Sequence, residues 1–139
     1  MRVKAGVLRA ISERQGEAMS KVFFLSAGQI QRDLAPNRGG CVATDAITVD
    51  GLGVGFMYRE AGVNDLDSGW RFFAGTESRE YLDELSHSGI YDVNTIANYS
   101  PDIIRWLDAP PGAAFARAKD GILKPRDNHS FPSEESEAL

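Results

Sequence analysis

Cysteine is nearly absent. Cys41 is the only one in the chain, which excludes an internal disulfide and a thiolate metal cage. Histidine is almost as scarce, with only His87 and His129. No apolar run approaches the roughly 20 residues needed to span a bilayer, so no membrane partner is expected. The opening MRVKAGVLRAIS has basic residues, but Arg9 breaks its short apolar run and makes it a poor signal peptide. A cytoplasmic location is therefore expected. Positive charge is also short, since 15 Lys and Arg face 20 Asp and Glu for a net charge of -5. Phosphate binding needs clustered cations, so no nucleic acid is expected as a partner, while a basic protein partner is permitted. With 139 residues, 42% of them hydrophobic and 25% charged, the chain suits one globular domain.

What is present is organised around the stretch from Cys41 to Gly75, where two extended apolar segments, VGFMYRE and GWRFFAG, flank a polar loop. Upstream, Val22 to Leu25 reads as a first strand. Ser26-Ala27-Gly28-Gln29 fits a capping box, and Ile30 and Leu34 sit four apart, which predicts a helix to about Leu34 before Pro36. Cys41 to Thr44 is short and β-prone, and Asp50-Gly51 suits a turn. Val54, Phe56 and Tyr58 alternate with Gly55, Met57 and Arg59, as Trp70, Phe72 and Ala74 do with Arg71 and Phe73. An antiparallel hairpin with a long loop, Glu60 to Ser68, is predicted.

Further on, Glu77 to Leu85 is helix-prone, IYDV reads as a short strand, and Asn94 suits the cap of a turn running to Ala97. Ser100-Pro101-Asp102 has the cap, the N1 proline and the early acid of a helix start. Ala113 to Ala118 is a candidate strand, turned by Lys119-Asp120-Gly121 into a short return at Ile122-Leu123. The whole predicts an α+β fold: a single domain with a small, mostly antiparallel sheet packed by two to four short helices. Val54, Phe56, Phe72, Ile103, Ile104, Leu107 and Phe115 are expected to share its core. The domain is expected over residues 19–124, with a disordered acidic tail over 125–139. Residues 1–18 are expected to be a dispensable extension. MSKVFFL at Met19 reads as an alternative start, since codons for Gln15-Gly16-Glu17 can form a purine-rich ribosome-binding sequence. The other reading of this segment is a helix carrying Val7, Leu8 and Ile11, marginal unless docked.

Chemistry is harder to place. Cys41 follows two glycines that permit close approach, but no partner base is evident, and free cysteines are usually buried. Asp65-Leu66-Asp67-Ser68 opens like a calcium loop, yet Gly69 stands where a further ligand is needed and Trp70 where glycine is needed. Gly51, Gly53 and Gly55 precede a strand and not a helix N-terminus, so they do not form a phosphate loop. No catalytic residues, metal ligands or cofactors are assigned. The hairpin would bring Tyr58, Arg59 and Glu60 beside Asp67, Ser68 and Trp70 at one edge. There Arg59 or Arg71 could pair with Asp67. That cluster is either a loop-clamping ion pair or a partner-binding surface with an aromatic anchor.

GGCVATDAITVDGLGVGFMYRE, DSGWRFFAGTES, GIYDVNTIANYSPDII and LDAPPGAAFAR, in that order, resemble a bacterial family first described as a domain of unknown function (DUF) and now as immunity protein 33-like. The resemblance runs from about Phe24 to Gly121. It implies a small α+β domain, found alone or in toxin-immunity loci, whose partner is a cognate protein toxin neutralised by binding. The family's pattern has a charged residue near Gly53 and a polar one near Ala74, and neither departure bears on chemistry. A housekeeping or regulatory domain of the same family with no toxin partner is the alternative.

Overall fold

The computed structural model describes residues 5–17 and 21–126. Two helices come before the central hairpin: α1 (Ala5–Glu17), and a one-turn α2 (Asp45–Thr48) that follows directly on strand β1 (Gly40–Thr44). β2 (Phe56–Arg59) and β3 (Asp67–Phe73) form the hairpin, followed by α3 (Arg79–Asp83), β4 (Ser88–Asp92) and α4 (Val93–Tyr99). A 3₁₀ turn, Pro101–Trp106, leads to β5 (Ala114–Arg117) and β6 (Leu123–Arg126). Among the described residues the strands make one six-stranded sheet in the order β4-β1-β3-β2-β5-β6.

The α+β expectation holds, but the sheet is mixed. β1 runs parallel to β3, while β1–β4, β2–β3, β2–β5 and β5–β6 are antiparallel. The register Gly40↔Asp67 and Ala43↔Phe72 sets a direction for the whole domain. The β2–β3 loop lies at one end of this central pair, and α2, leaving from Thr44, lies at the other.

Strand alternation separates two apolar layers. Cys41, Ala43, Met57, Trp70, Phe72 and Phe115 face Val93, Ile96 and Ala97 of α4 and Ile103 of the 3₁₀ turn. Phe56 and Phe73 face the other way, toward Leu82 of α3. Phe56 is therefore not in the core of Val54, Phe72, Ile103, Leu107 and Phe115. Ile104 packs on that core only in part. The period breaks at Gly55, where a Cβ would come within 2.0 Å of Ala74 O.

Local chemistry explains several ends. Ser78 Oγ accepts from Tyr81 N at 3.1 Å to start α3, and Asp92, not Asn94, caps α4 through Asn94 N at 2.9 Å. Ser26 and Gln29 do pair, with Ser26 N donating to Gln29 Oε1 at 2.8 Å. The helix they start is only the 3₁₀ turn Ala27–Gln29, because Ile30 returns to extended backbone. Ser100 Oγ does not cap its own turn and instead accepts from Val54 N at 2.7 Å. Val22 to Leu25 is not a strand: its backbone donors go to Thr48 O and to the Tyr99 hydroxyl.

At the other boundary, β6 runs to Arg126, two residues into the segment expected as a tail. Residues 127–139 and the Met19 start lie outside the described residues. α1 lies on β4 and β1, with Ile11 fully buried against Val42 and with Val7, Leu8, Leu85 and Ile90 around it. That docking supplies the packing a short helix needs. Ile11→Ala should cost about 2 kcal/mol, the low end for a buried isoleucine, because a peripheral helix can settle into the gap. Urea unfolding measures this. A loss near zero would support a dispensable extension.

Candidate functional site

The hairpin brings Glu60 beside Asp67, and a buried ion cluster joins them. Arg71 points to the face opposite the main core, with its side chain fully buried. Its Nη1 and Nη2 donate to Asp67 Oδ1 and Oδ2, each at 2.8 Å, and its Nε donates to Glu60 Oε2 at 2.8 Å. Both carboxylates come from the ends of the long loop, so one guanidinium fastens the loop's two ends together. Of the two arginines considered for Asp67, strand register selects Arg71. Asp67 is fully used: Oδ1 also accepts from Gly69 N at 2.9 Å and Oδ2 from Val63 N at 3.0 Å. Burial pushes its pKa up. The hydrogen bonds from Arg71, Val63 and Gly69 outweigh that and hold the carboxyl at about 2, below the usual 3.8.

The loop is pinned again at its tip. Gly40 N donates to Leu66 O at 2.7 Å, and Asn64 Oδ1 accepts from Leu66 N at 2.9 Å and Asp67 N at 3.1 Å. Gly39 stands opposite at φ 88, and a Cβ there would meet Leu66 O at 3.0 Å, so this close approach needs glycine. Ser68 Oγ donates to Gly40 O at 2.6 Å and accepts from Trp70 N at 3.1 Å. The backbone is thus held on both sides of Leu66, while its side chain is left 80% exposed.

Arg59 supports the same loop from β2. Its Nε donates to Ser68 O at 2.9 Å and its Nη1 to Ala109 O at 2.8 Å, with the guanidinium 5.6 Å from the Trp70 ring. Trp70 itself is buried at 1% exposure, and its Nε1 donates to Leu107 O at 3.3 Å, so it is not the surface anchor once considered for it. Tyr58 lies half-buried on the opposite face, stacked 6.0 Å from Phe73. Between Arg38, Arg59, Asn64, Leu66 and Pro111 lies an open cleft of about 700 Å³. Arg38 on its far wall donates to Asp108 at 2.6 Å.

Six expected residues therefore fall into three roles. Glu60, Asp67 and Ser68 hold the loop, Arg59 braces it at the cleft wall, and Tyr58 and Trp70 pack into opposite layers behind it. Leu66 is the further residue of this site: the sequence shows one apolar side chain between Asp65 and Asp67, and its exposure comes from the structure alone.

Reactive groups do not gather here. Cys41 is buried, and burial raises its thiol pKa far above the usual range. His87 stacks 4.1 Å from Tyr81 and bonds the Tyr81 carbonyl through Nδ1 at 2.9 Å. Among the described residues no three His, Cys, Asp or Glu side chains are grouped to hold a metal ion. Nor is any helix long and apolar enough to cross a membrane.

The family model described as Immunity protein Imm33 domain matches residues 41–127, starting at Cys41 in β1 and taking in the whole hairpin and the cleft wall from Arg59 to Ser68, but not Arg38. Neither a curated protein nor a solved structure matches the chain.

Proposed function

The chain belongs to the immunity protein Imm33 family, and from that membership we propose that it is a non-enzymatic binding protein that neutralises a cognate bacterial toxin by direct contact. The observation that carries this reading is the Glu60–Arg71–Asp67 clamp, which presents Leu66 outward beside the cleft on a loop already fixed. Loops held by a rigid scaffold are where binding residues concentrate, and a pre-ordered loop loses little entropy on association. Leu66 is the apolar contact, with Asp65 and Arg59 as its polar surround. Glu60, Asp67 and Ser68 act through the loop they hold and not by touching the partner.

The chain, tagged and recovered from its source cells, should carry a protein whose separate expression arrests growth, and co-expressing the chain should restore growth. Leu66→Asp should weaken binding of that purified protein by about tenfold or more and leave the thermal transition in place. A bound protein with no toxic effect would favour a housekeeping or regulatory role. Unchanged affinity in Leu66→Asp would place the contact elsewhere on the domain.

A further inference from the structure

At the end of the sheet opposite the cleft, the segment after Lys21 is tied down by its backbone yet turns apolar side chains outward. Phe24 N donates to Thr48 O at 2.8 Å. Leu25 N donates to the Tyr99 hydroxyl at 3.2 Å, and that hydroxyl donates to Thr48 O at 3.0 Å. Lys21 Nζ adds an ion pair to Asp45 at 2.9 Å. The Phe24 ring covers Gly51, where a Cβ would fall within 2.4 Å of it, and Leu52 is the next residue. Val22 is 79% exposed, Phe24 62% and Leu52 46%, and Phe23 meets Tyr91 edge-on at 6.0 Å. The bonds at Phe24 and Leu25 hold the segment along this end of the domain. Apolar surface gathered in this way marks an interaction site.

Charge selects the occupant. Lys21 and Asp45 balance each other, but no cation among the described residues pairs with Asp50 or Glu77. Glu77 instead accepts from Thr44 Oγ1 and from the backbone N–H of Ala74 and Gly75. The resulting negative field is felt at Tyr81, whose hydroxyl is pushed up to about 12 by burial first and then by Asp45, Asp50 and Glu77. A second copy across a two-fold axis would set these acids against themselves, which is unfavourable. Residues 127–139 of the chain carry Asp127, Glu134, Glu135 and Glu137 and neither Lys nor Arg, so they do not suit the surface either. We propose that the Val22, Phe24 and Leu52 surface docks a cationic, apolar-bearing segment of a partner protein. This goes beyond the toxin-binding reading, which concerns the other end of the β1–β3 pair.

The test uses the full chain and two labelled peptides of equal length, one alternating Leu and Lys and the other Leu and Glu, followed by fluorescence anisotropy. The Leu–Lys peptide should bind and the Leu–Glu peptide should not. Phe24→Ser combined with Leu52→Ser should weaken the Leu–Lys complex by about tenfold. Asp50→Asn should weaken it by a smaller factor, and Leu66→Asp should leave it unchanged. Should the double variant fail to fold, Val22→Ser, at the most exposed of the three positions, gives the same reading. Equal binding of both peptides, or affinity unchanged in the serine variants, would overturn the proposal. So would a concentration-dependent dimer in sedimentation that the serine variants dissolve.

Discussion

Asp67→Ala is expected to lower the unfolding free energy by about 3–5 kcal/mol, the range for removing one partner of a buried ion pair. Arg71 has no exposed side-chain surface, and the Asp67 side chain is only 4% exposed, so water cannot replace the lost carboxylate. Three donors lose their acceptor together: the Arg71 guanidinium, Val63 N and Gly69 N. Glu60 would remain on Arg71 Nε and the Trp70 carbonyl on Nη1, but the paired acceptor facing Nη1 and Nη2 would be gone. Asp67→Asn should cost less, since an amide keeps one acceptor oxygen. Replacing Arg71, Asp67 and Glu60 together by apolar residues of similar volume should cost far less than the single alanine, because no buried charge is then left unpaired. Urea unfolding at neutral pH measures all three. A loss below about 1 kcal/mol in Asp67→Ala would mean that the clamp does not hold the loop.

The same clamp sets a pH dependence. Asp67 has its pKa lowered from 3.8 to about 2 in the fold. A carboxyl depressed in this way stabilises the folded state fully above its unfolded pKa. That contribution is lost as pH falls through the folded value. The shift corresponds to about 2 kcal/mol. Wild-type stability should therefore fall between pH 3.8 and about 2 by an amount that the Asp67→Ala variant does not show.

The parts of the fold legible in sequence were local. Alternation in FMYR and WRFF set the β2–β3 hairpin, and its loop ends brought Glu60 and Asp67 together without any long-range information. The parallel β1–β3 pair was not legible, because nothing in GCVAT states which neighbour it takes. Val22 to Leu25 has the composition of a strand, yet its hydrogen bonds go to Thr48 and Tyr99, contacts far away in sequence. Phe56 falls in the layer opposite Val54 because the two-residue period does not run through Gly55, where the chain is forced against Ala74. At the site, the ion pair was legible as a choice between two arginines. Leu66 was not, since an exposed and a buried leucine look alike in a polar loop, and only the pinning from Gly40 shows which one this is.

Phe72→Ala is expected to cost about 3–5 kcal/mol, the range for a buried phenylalanine whose cavity cannot collapse. Phe72 has no exposed surface and pairs across the sheet with Met57 on one side and Ala43 on the other. Its ring stacks 6.0 Å from Trp70, which in turn lies 6.2 Å from Phe115, and α4 closes the layer above. Strands on both sides and a helix above leave little room for the neighbours to move in. A cost well below 1 kcal/mol would place Phe72 outside the core. The two-layer arrangement makes a sharper demand, best met with the milder leucine replacements so that the double variant still folds. Phe56 lies in the other layer, against Phe73 and Leu82. The effects of Phe72→Leu and Phe56→Leu should therefore add to within about 0.5 kcal/mol. Two phenylalanines sharing one core would repack around each other. A coupling of about 1 kcal/mol or more between them would mean that the sheet does not separate them.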